Sequence, residues 1–300
     1  MTEQLIDPTT NTFNEVTPHV SELRRIIRVM ASRKVVIVGV VIIVIMILVA
    51  IFAPLLAPYD PYKTNLRETL QPASSKHLLG TDSLGRDTLS RVIYGSRTSL
   101  MVGIVSIFIA SSIGMFLGLT AAYYGRIYGA VVMRLIDALM AFPMILLALV
   151  IAALLGGGIT NVIIAIGISL TTIYARLMHG QVLSVKENDY VTASRSMGSS
   201  NTLIMFRHVF PNCLPPMIVL ITMQLGSAIL AEAGLSFLGI GIAPPGASWG
   251  SMVNDGYKFL LDLPILSFAP GIAIMLIVFA FNMVGDGLRD ALDPRLRGTI

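Results

Sequence analysis

Long apolar runs separated by short polar segments dominate the chain. The first, residues 35–56, is 22 residues long and follows Arg24, Arg25, Arg28, Arg33 and Lys34. About 20 apolar residues cross the hydrocarbon core of a bilayer, so this run predicts a spanning helix with residues 1–34 on the cytoplasmic side. Residues 57–98 are polar and Pro-containing and read as a segment on the opposite side. Residues 100–124, about 130–155, 162–178, 214–238 and about 263–284 predict five further spans. Turns are expected at Gly125–Gly129 and Gly156-Gly157-Gly158, a kink at Pro143, and Pro215-Pro216 in a first helical turn, where missing donors cost little. The reading is an all-α membrane protein of six helices with both termini cytoplasmic. Its permease core is residues 99–285 and its tail residues 286–300. Of the 21 Lys and Arg, 14 then fall on inner segments and their flanks, as the positive-inside rule requires.

One stretch breaks the apolar pattern on the cytoplasmic side: Asp189 to Pro211, within a loop at 187–211. Residues 190–197 contain neither Pro nor Gly, with Asp189 as the expected N-cap and Gly198 as the C′ stop. Ser199 and Ser200 can cap a second helix over 201–209, which Pro211 is expected to end. Small Ala193 and Ser194 allow close approach, while Val191, Met197, Leu203, Ile204 and Phe206 offer apolar anchors. The element reads as a docking surface.

Composition narrows the class. The chain is 55% hydrophobic and 13% charged, with a mean hydropathy of +0.79, where soluble domains carry about 25% charged residues. A formal charge of +4 spread along the chain gives no footprint for nucleic acid. One cysteine, Cys213, excludes an internal disulfide and reads as a small apolar residue at a helix start. None of the five lysines follows a glycine, so the chain lacks a phosphate-cradling Gly-x4-Gly-Lys loop and any ATP-driven work requires another subunit.

The candidate chemistry is sparse. Asp82, Arg86, Asp87 and Arg91 lack the oxygen-rich spacing of a calcium loop and read as caps and i,i+4 pairs such as Asp87 with Arg91. Arg134 and Asp137 read as a structural pair, with a proton relay as the alternative; Glu232, inside a span, is either structural or part of a pathway. Gly246 to Gly250 satisfies G-x-S-x-G, but Pro244-Pro245 precede it, so a tight turn with an interfacial Trp249 is expected instead of a hydrolase elbow. Ser106, Ala110, Gly114, Gly118 and Ala122 recur every four residues and predict a helix-packing seam, within the chain or against a second one. The four histidines, His19, His77, His179 and His208, lie outside the spans. A stand-alone secondary transporter or channel is the competing class; it calls for mid-membrane ionisable groups or paired broken helices, which only Glu232 approaches.

Thr192-Ala193-Ser194, three residues, Gly198, nine residues and His208-x-Phe210-Pro211 together resemble the EAA loop of binding-protein-dependent ABC importer permeases. Thr192 stands where that family has Glu. Leu79 to Arg91, LGTDSLGRDTLSR, and Ala231 to Gly250, AEAGLSFLGIGIAPPGASWG, resemble signatures of its dipeptide, oligopeptide and nickel branch, and the chain looks most like that branch's C-type permeases. The resemblance implies a type I importer fold in the bacterial inner membrane. It also implies two ATP-binding subunits using ATP and Mg, a second homologous permease chain, an extracytoplasmic substrate-binding protein, and surrounding lipid. No cofactor or metal is expected in this chain, which is not itself an enzyme. Asp189, Tyr190, Thr192, Ala193, Ser194, Met197, Gly198, His208 and Pro211 are implied as the ATPase-coupling residues, and the substrate as a dipeptide, an oligopeptide, a glutathione-like peptide or nickel.

Overall fold

The computed structural model describes residues 22–242 and 244–292. His19, Arg295 and Arg297, with the rest of residues 1–21 and 293–300, lie outside the described residues. Helices account for nearly all of the regular structure. The first, α1 (Glu22–Ser32), occupies part of the expected polar N-terminal segment. Val29 is buried and Ile26 and Met30 half-buried, an i, i+3, i+4 set that gives the helix one apolar face. Arg25 donates to the Ala291 carbonyl and Arg33 pairs with Asp290, so α1 clasps the last helix.

The apolar runs become helices, with informative differences at their ends. The first span, α2 (Lys34–Ile51), buries only Val36 and Gly39. A Cβ on Gly39 would sit 3.0 Å from Ala280 O, so α2 leans on the last helix through this glycine. The second, α3 (Thr88–Tyr124), begins 12 residues before the expected start. Asp87 caps it by accepting from the Ser90 amide at 2.8 Å. Its polar first turns belong to the segment expected outside the spans, and here Arg91, Ser96 and Ser99 are buried by protein.

The expected kinked third span is instead two helices, α4 (Arg126–Met140) and α5 (Met144–Leu155), set at 94°. Pro143 becomes the extended N-cap of α5. A missing N–H and a steric bias against the helical conformation in the preceding residue turn a kink into a break. Among the described residues, five helices are therefore long and apolar enough to cross a bilayer, or six if the bent pair counts as one span.

Three consecutive positive φ values, at Gly156, Gly157 and Gly158, turn the chain into α6 (Ile159–Val185). The small-residue stripe of α3 packs against α6, which settles the seam as internal to the chain. Cβ atoms on Gly114 and Gly118 would lie 2.6 Å from Thr171 O and 2.4 Å from Ala175 O. Ser106 Oγ donates to Ile163 O at 3.2 Å.

After the loop helix α7 (Asp189–Ser196) comes α8 (Asn201–Phe237), a single rod of 37 residues. Pro215 and Pro216 lie inside it and not in its first turn. A short helix α9 (Trp249–Tyr257) is capped reciprocally by Ser248 and Ser251. Trp249 is buried, donating to Val92 O at 2.9 Å. The interfacial placement expected for it is wrong, because the indole finds its acceptor inside the protein. The last helix, α10 (Ile265–Leu292), runs on through residues assigned to the tail. The main core lies between α3, α6 and α8; a smaller one joins Leu100, Ile229, Trp249, Ile277 and Phe281.

Candidate functional site: the loop between α6 and α8

The loop is a helix–turn–helix held against the C-terminal ends of α3 and α6. Asn188, not Asp189, is the N-cap of α7; Asp189 sits in the first turn, where its charge complements the helix dipole. Gly198 has φ +81. Around it Gly198 N donates to Arg195 O at 3.0 Å and Ser199 N to Ser194 O at 3.2 Å. These two bonds make a Schellman stop that needs a left-handed residue at this position. Ser200 then caps α8 through Leu203 N at 3.3 Å. Tyr123 OH donates to Asn201 Oδ1 at 3.1 Å and Lys186 Nζ to Ala122 O at 3.3 Å, fixing the start of α8 and the C-cap of α6 to the end of α3.

Pro211 does not end the second helix. Residues Ile204–Val209 form a π-helical turn, and Phe210 N reaches back five residues to Met205 O. A proline has no amide for the carbonyl four residues earlier and its ring crowds that carbonyl; a widened turn before it accommodates both. The loop and the membrane span are consequently one continuous helix.

The expected coupling residues divide between two faces. Val191, Ser194, Ile204, Met205 and Val209 are buried, most of them in the core shared with Met178 and Val182. Tyr190, Thr192, Ala193 and Met197 face outward on α7, as do Leu203, Phe206 and Pro211 on α8; His208 is half-buried. Two of the expected anchors, Val191 and Ile204, together with Ser194, hold the loop down, because the inward face of a short helix must be covered by its own protein. What remains outward is an unusually apolar surface for a polar segment: Met197 is 79% exposed and Phe206 49%.

The charged candidates are engaged elsewhere. Asp137 pairs with Arg176 of α6, not with Arg134. Asp82 binds Arg86 at 2.7 Å and faces Arg91 Nε at 3.4 Å, so the expected Asp87–Arg91 pair is replaced. Asp87, besides capping α3, meets His77 Nδ1 at 2.9 Å. These bonds, with Arg91 donating to Pro61 O at 3.1 Å, tie residues 57–87 down onto the start of α3. Nearby, hydrogen bonding to Lys76 holds the half-buried Glu68 carboxyl below its ordinary range.

Glu232 is completely buried. It accepts from Ser99 Oγ at 2.9 Å and Ser236 Oγ at 2.7 Å, and Ser248 Oγ lies 3.4 Å from Ser236 Oγ. It pins α8 to α3. Reading the sequence missed Ser99 as its partner, since nothing local links positions 133 residues apart; Ser236, one helical turn on, was within reach of an i,i+4 search.

Residues 110–298 match the family model described as the binding-protein-dependent transport system inner membrane component. The chain belongs to that family. Residues 21–73 also match the N-terminal TM domain of oligopeptide transport permease C. The permease is 44% identical to the dipeptide transport system permease protein DppC of Alkalihalophilus pseudofirmus, over 93% of this chain and 91% of that one. It is 43% identical to a putative peptide transport system permease protein of Brucella suis over 99% of each chain. To the glutathione transport system permease protein GsiD of Pectobacterium atrosepticum it is 42% identical over 83% of each. Its fold is similar to that of the inward-facing MetNI methionine ABC transporter, with a TM-score of 0.56 at 18% identity over 68% of this chain and 96% of that one. It is a multi-pass permease subunit of a binding-protein-dependent ABC importer in the bacterial inner membrane.

With its two serine donors, Glu232 has the geometry of a structural link. Glu232→Gln keeps an acceptor oxygen and is expected to accumulate and transport near the wild-type level. Glu232→Leu strands two buried hydroxyls at about 1–3 kcal/mol each and is expected to lower the melting temperature of the purified complex. Normal accumulation of Glu232→Gln with no transport would instead reveal a role for the charge in the pathway.

Proposed function

We propose that this permease forms, with a second homologous permease chain, the membrane path of a peptide importer, and that residues 187–211 receive the stroke of two ATP-binding subunits on the cytoplasmic face. Both termini lie on that face, and a substrate-binding protein delivers cargo from the other. The observation that carries the reading is the outward face of Tyr190, Ala193 and Met197 on a loop continuous with a membrane-spanning helix. A push on α7 and the start of α8 travels along an unbroken rod to Phe237, without a hinge at Pro211. The named relatives work on dipeptides, peptides and glutathione, which favours a short peptide as cargo and gives nickel no support. A stand-alone transporter fits less well, since Glu232 and Asp137 are already occupied by partners within the chain.

Disulfide cross-linking to cysteines on the ATP-binding subunit tests the coupling surface. Ala193→Cys and Met197→Cys are expected to cross-link in a nucleotide-dependent manner. Ser194→Cys, on the buried face, is expected to stay unlinked. Absence of linkage from both outward positions under every nucleotide condition would remove the loop from the coupling path.

A further inference from the structure

A cavity of about 760 Å³ opens between the inner ends of α6, α8 and α10. That size lies within the ~300–1,000 Å³ common for small-molecule sites. Its wall on α8 is formed by Pro211, Asn212, Pro215 and Pro216. Prolines 215 and 216 carry no amide hydrogen, so the carbonyls of Pro211 and Asn212 lack their i+4 donors. In a helix each carbonyl points toward the residue four positions on, and all four of these residues border the cavity. Two backbone acceptors without their helical donors therefore border the cavity, a state tolerated where irregular backbone lines a cavity.

Arg289 of α10, a permanent cation, lines the same cavity. No carboxylate among the described residues pairs with it; the nearby Asp290 is taken by Arg33. Gln181 adds an amide, and Val219, Leu220 and Met223 supply apolar wall. The cavity thus offers one cation and two bare carbonyl acceptors, with no acid of its own.

We propose that this cavity holds a short zwitterionic peptide on its way to the cytoplasm. Arg289 takes the peptide carboxylate, and the carbonyls of Pro211 and Asn212 accept from its ammonium or amide N–H groups. Because those carbonyls belong to the helix that continues the coupling loop, the peptide would be held by the same rod that the ATP-binding subunits move. This deepens the peptide-importer reading and rests on it.

Dialanine and its C-terminal amide are suitable probes, applied to the purified importer without its binding protein. Met223→Cys and, separately, Leu220→Cys are labelled with a small maleimide; the native Cys213 is buried. Dialanine is expected to slow labelling at these sites several-fold, the amide to have little effect, and Arg289→Gln to abolish the protection. Labelling of Leu261→Cys, which is 98% exposed outside the cavity, should not change. Equal protection by the amide, no protection, or no labelling at either cavity position would overturn the site. Uptake of dialanine by the complete importer with its binding protein is measured in parallel. Uptake without protection defeats only the cavity, whereas no uptake of this or any other short peptide defeats the peptide reading itself.

Discussion

Gly198→Val is expected to leave the permease inserted and assembled while cutting peptide uptake per ATP hydrolysed by about tenfold, the factor that ~1.4 kcal/mol commands. No atom lies within 4 Å of the added Cβ, so the replacement meets no neighbour. Its cost is conformational: φ is +81, and a β-branched residue there is strained by roughly 1–2 kcal/mol. The strain relaxes by turning α7 relative to α8, which moves Met197 and Tyr190 off the surface that the ATP-binding subunit meets. The spans do not feel the change. Wild-type uptake in Gly198→Val, with ATP hydrolysis still stimulated by loaded binding protein, would take the coupling role away from this turn.

Gly118→Val is expected to do the opposite and prevent the assembled importer from accumulating. Here the obstacle is a neighbour: the added Cβ would lie 2.4 Å from Ala175 O and 2.9 Å from Met178 Cβ. Both contacts are with α6 at the centre of the main core, so α3 and α6 would have to separate along their length. Overpacking costs about 1–3 kcal/mol where side chains can yield; a backbone carbonyl cannot. Gly180→Ala on α6 is the matched control, with no atom within 4 Å of its Cβ and a helical backbone. It should accumulate normally and gain about 0.5–1 kcal/mol of helix stability. Membrane abundance by immunoblot and detergent melting of the purified complex separate the two glycines. Normal abundance of Gly118→Val would mean that the seam is not the tight contact described.

The spans were legible in the sequence because a bilayer imposes one dominant requirement, about 20 apolar residues in a row. What hid from view were places where protein, not lipid, surrounds a helix. The polar start of α3 falls in the segment expected outside the spans because Arg91, Ser96 and Ser99 are unfavourable in hydrocarbon, though not when buried and hydrogen-bonded within the protein. Trp249 looked interfacial for the same reason. Proline positions were legible and their outcomes were not: Pro143 breaks a span, while Pro211 is passed by a π turn, and only the packing around each decides. In the loop, the Gly198 stop and the Ser200 cap follow from local backbone chemistry and could be read directly. Which face of α7 is free could not, because burial of Val191 depends on the core it shares with Met178 and Val182 of α6. The partner of Asp137, and Ser99 as a partner of Glu232, come from other helices and leave no local trace.

The central claim is that this permease moves its substrate only when driven, through the 187–211 loop, by separate ATP-binding subunits. Uptake of labelled dipeptide into proteoliposomes holding the complete importer, with binding protein outside and ATP inside, tests it most directly. Uptake is expected to require ATP and to fall to background when the ATP-binding subunits or the second permease are left out. Concentrative uptake by this chain alone, driven by an ion gradient, would contradict the account.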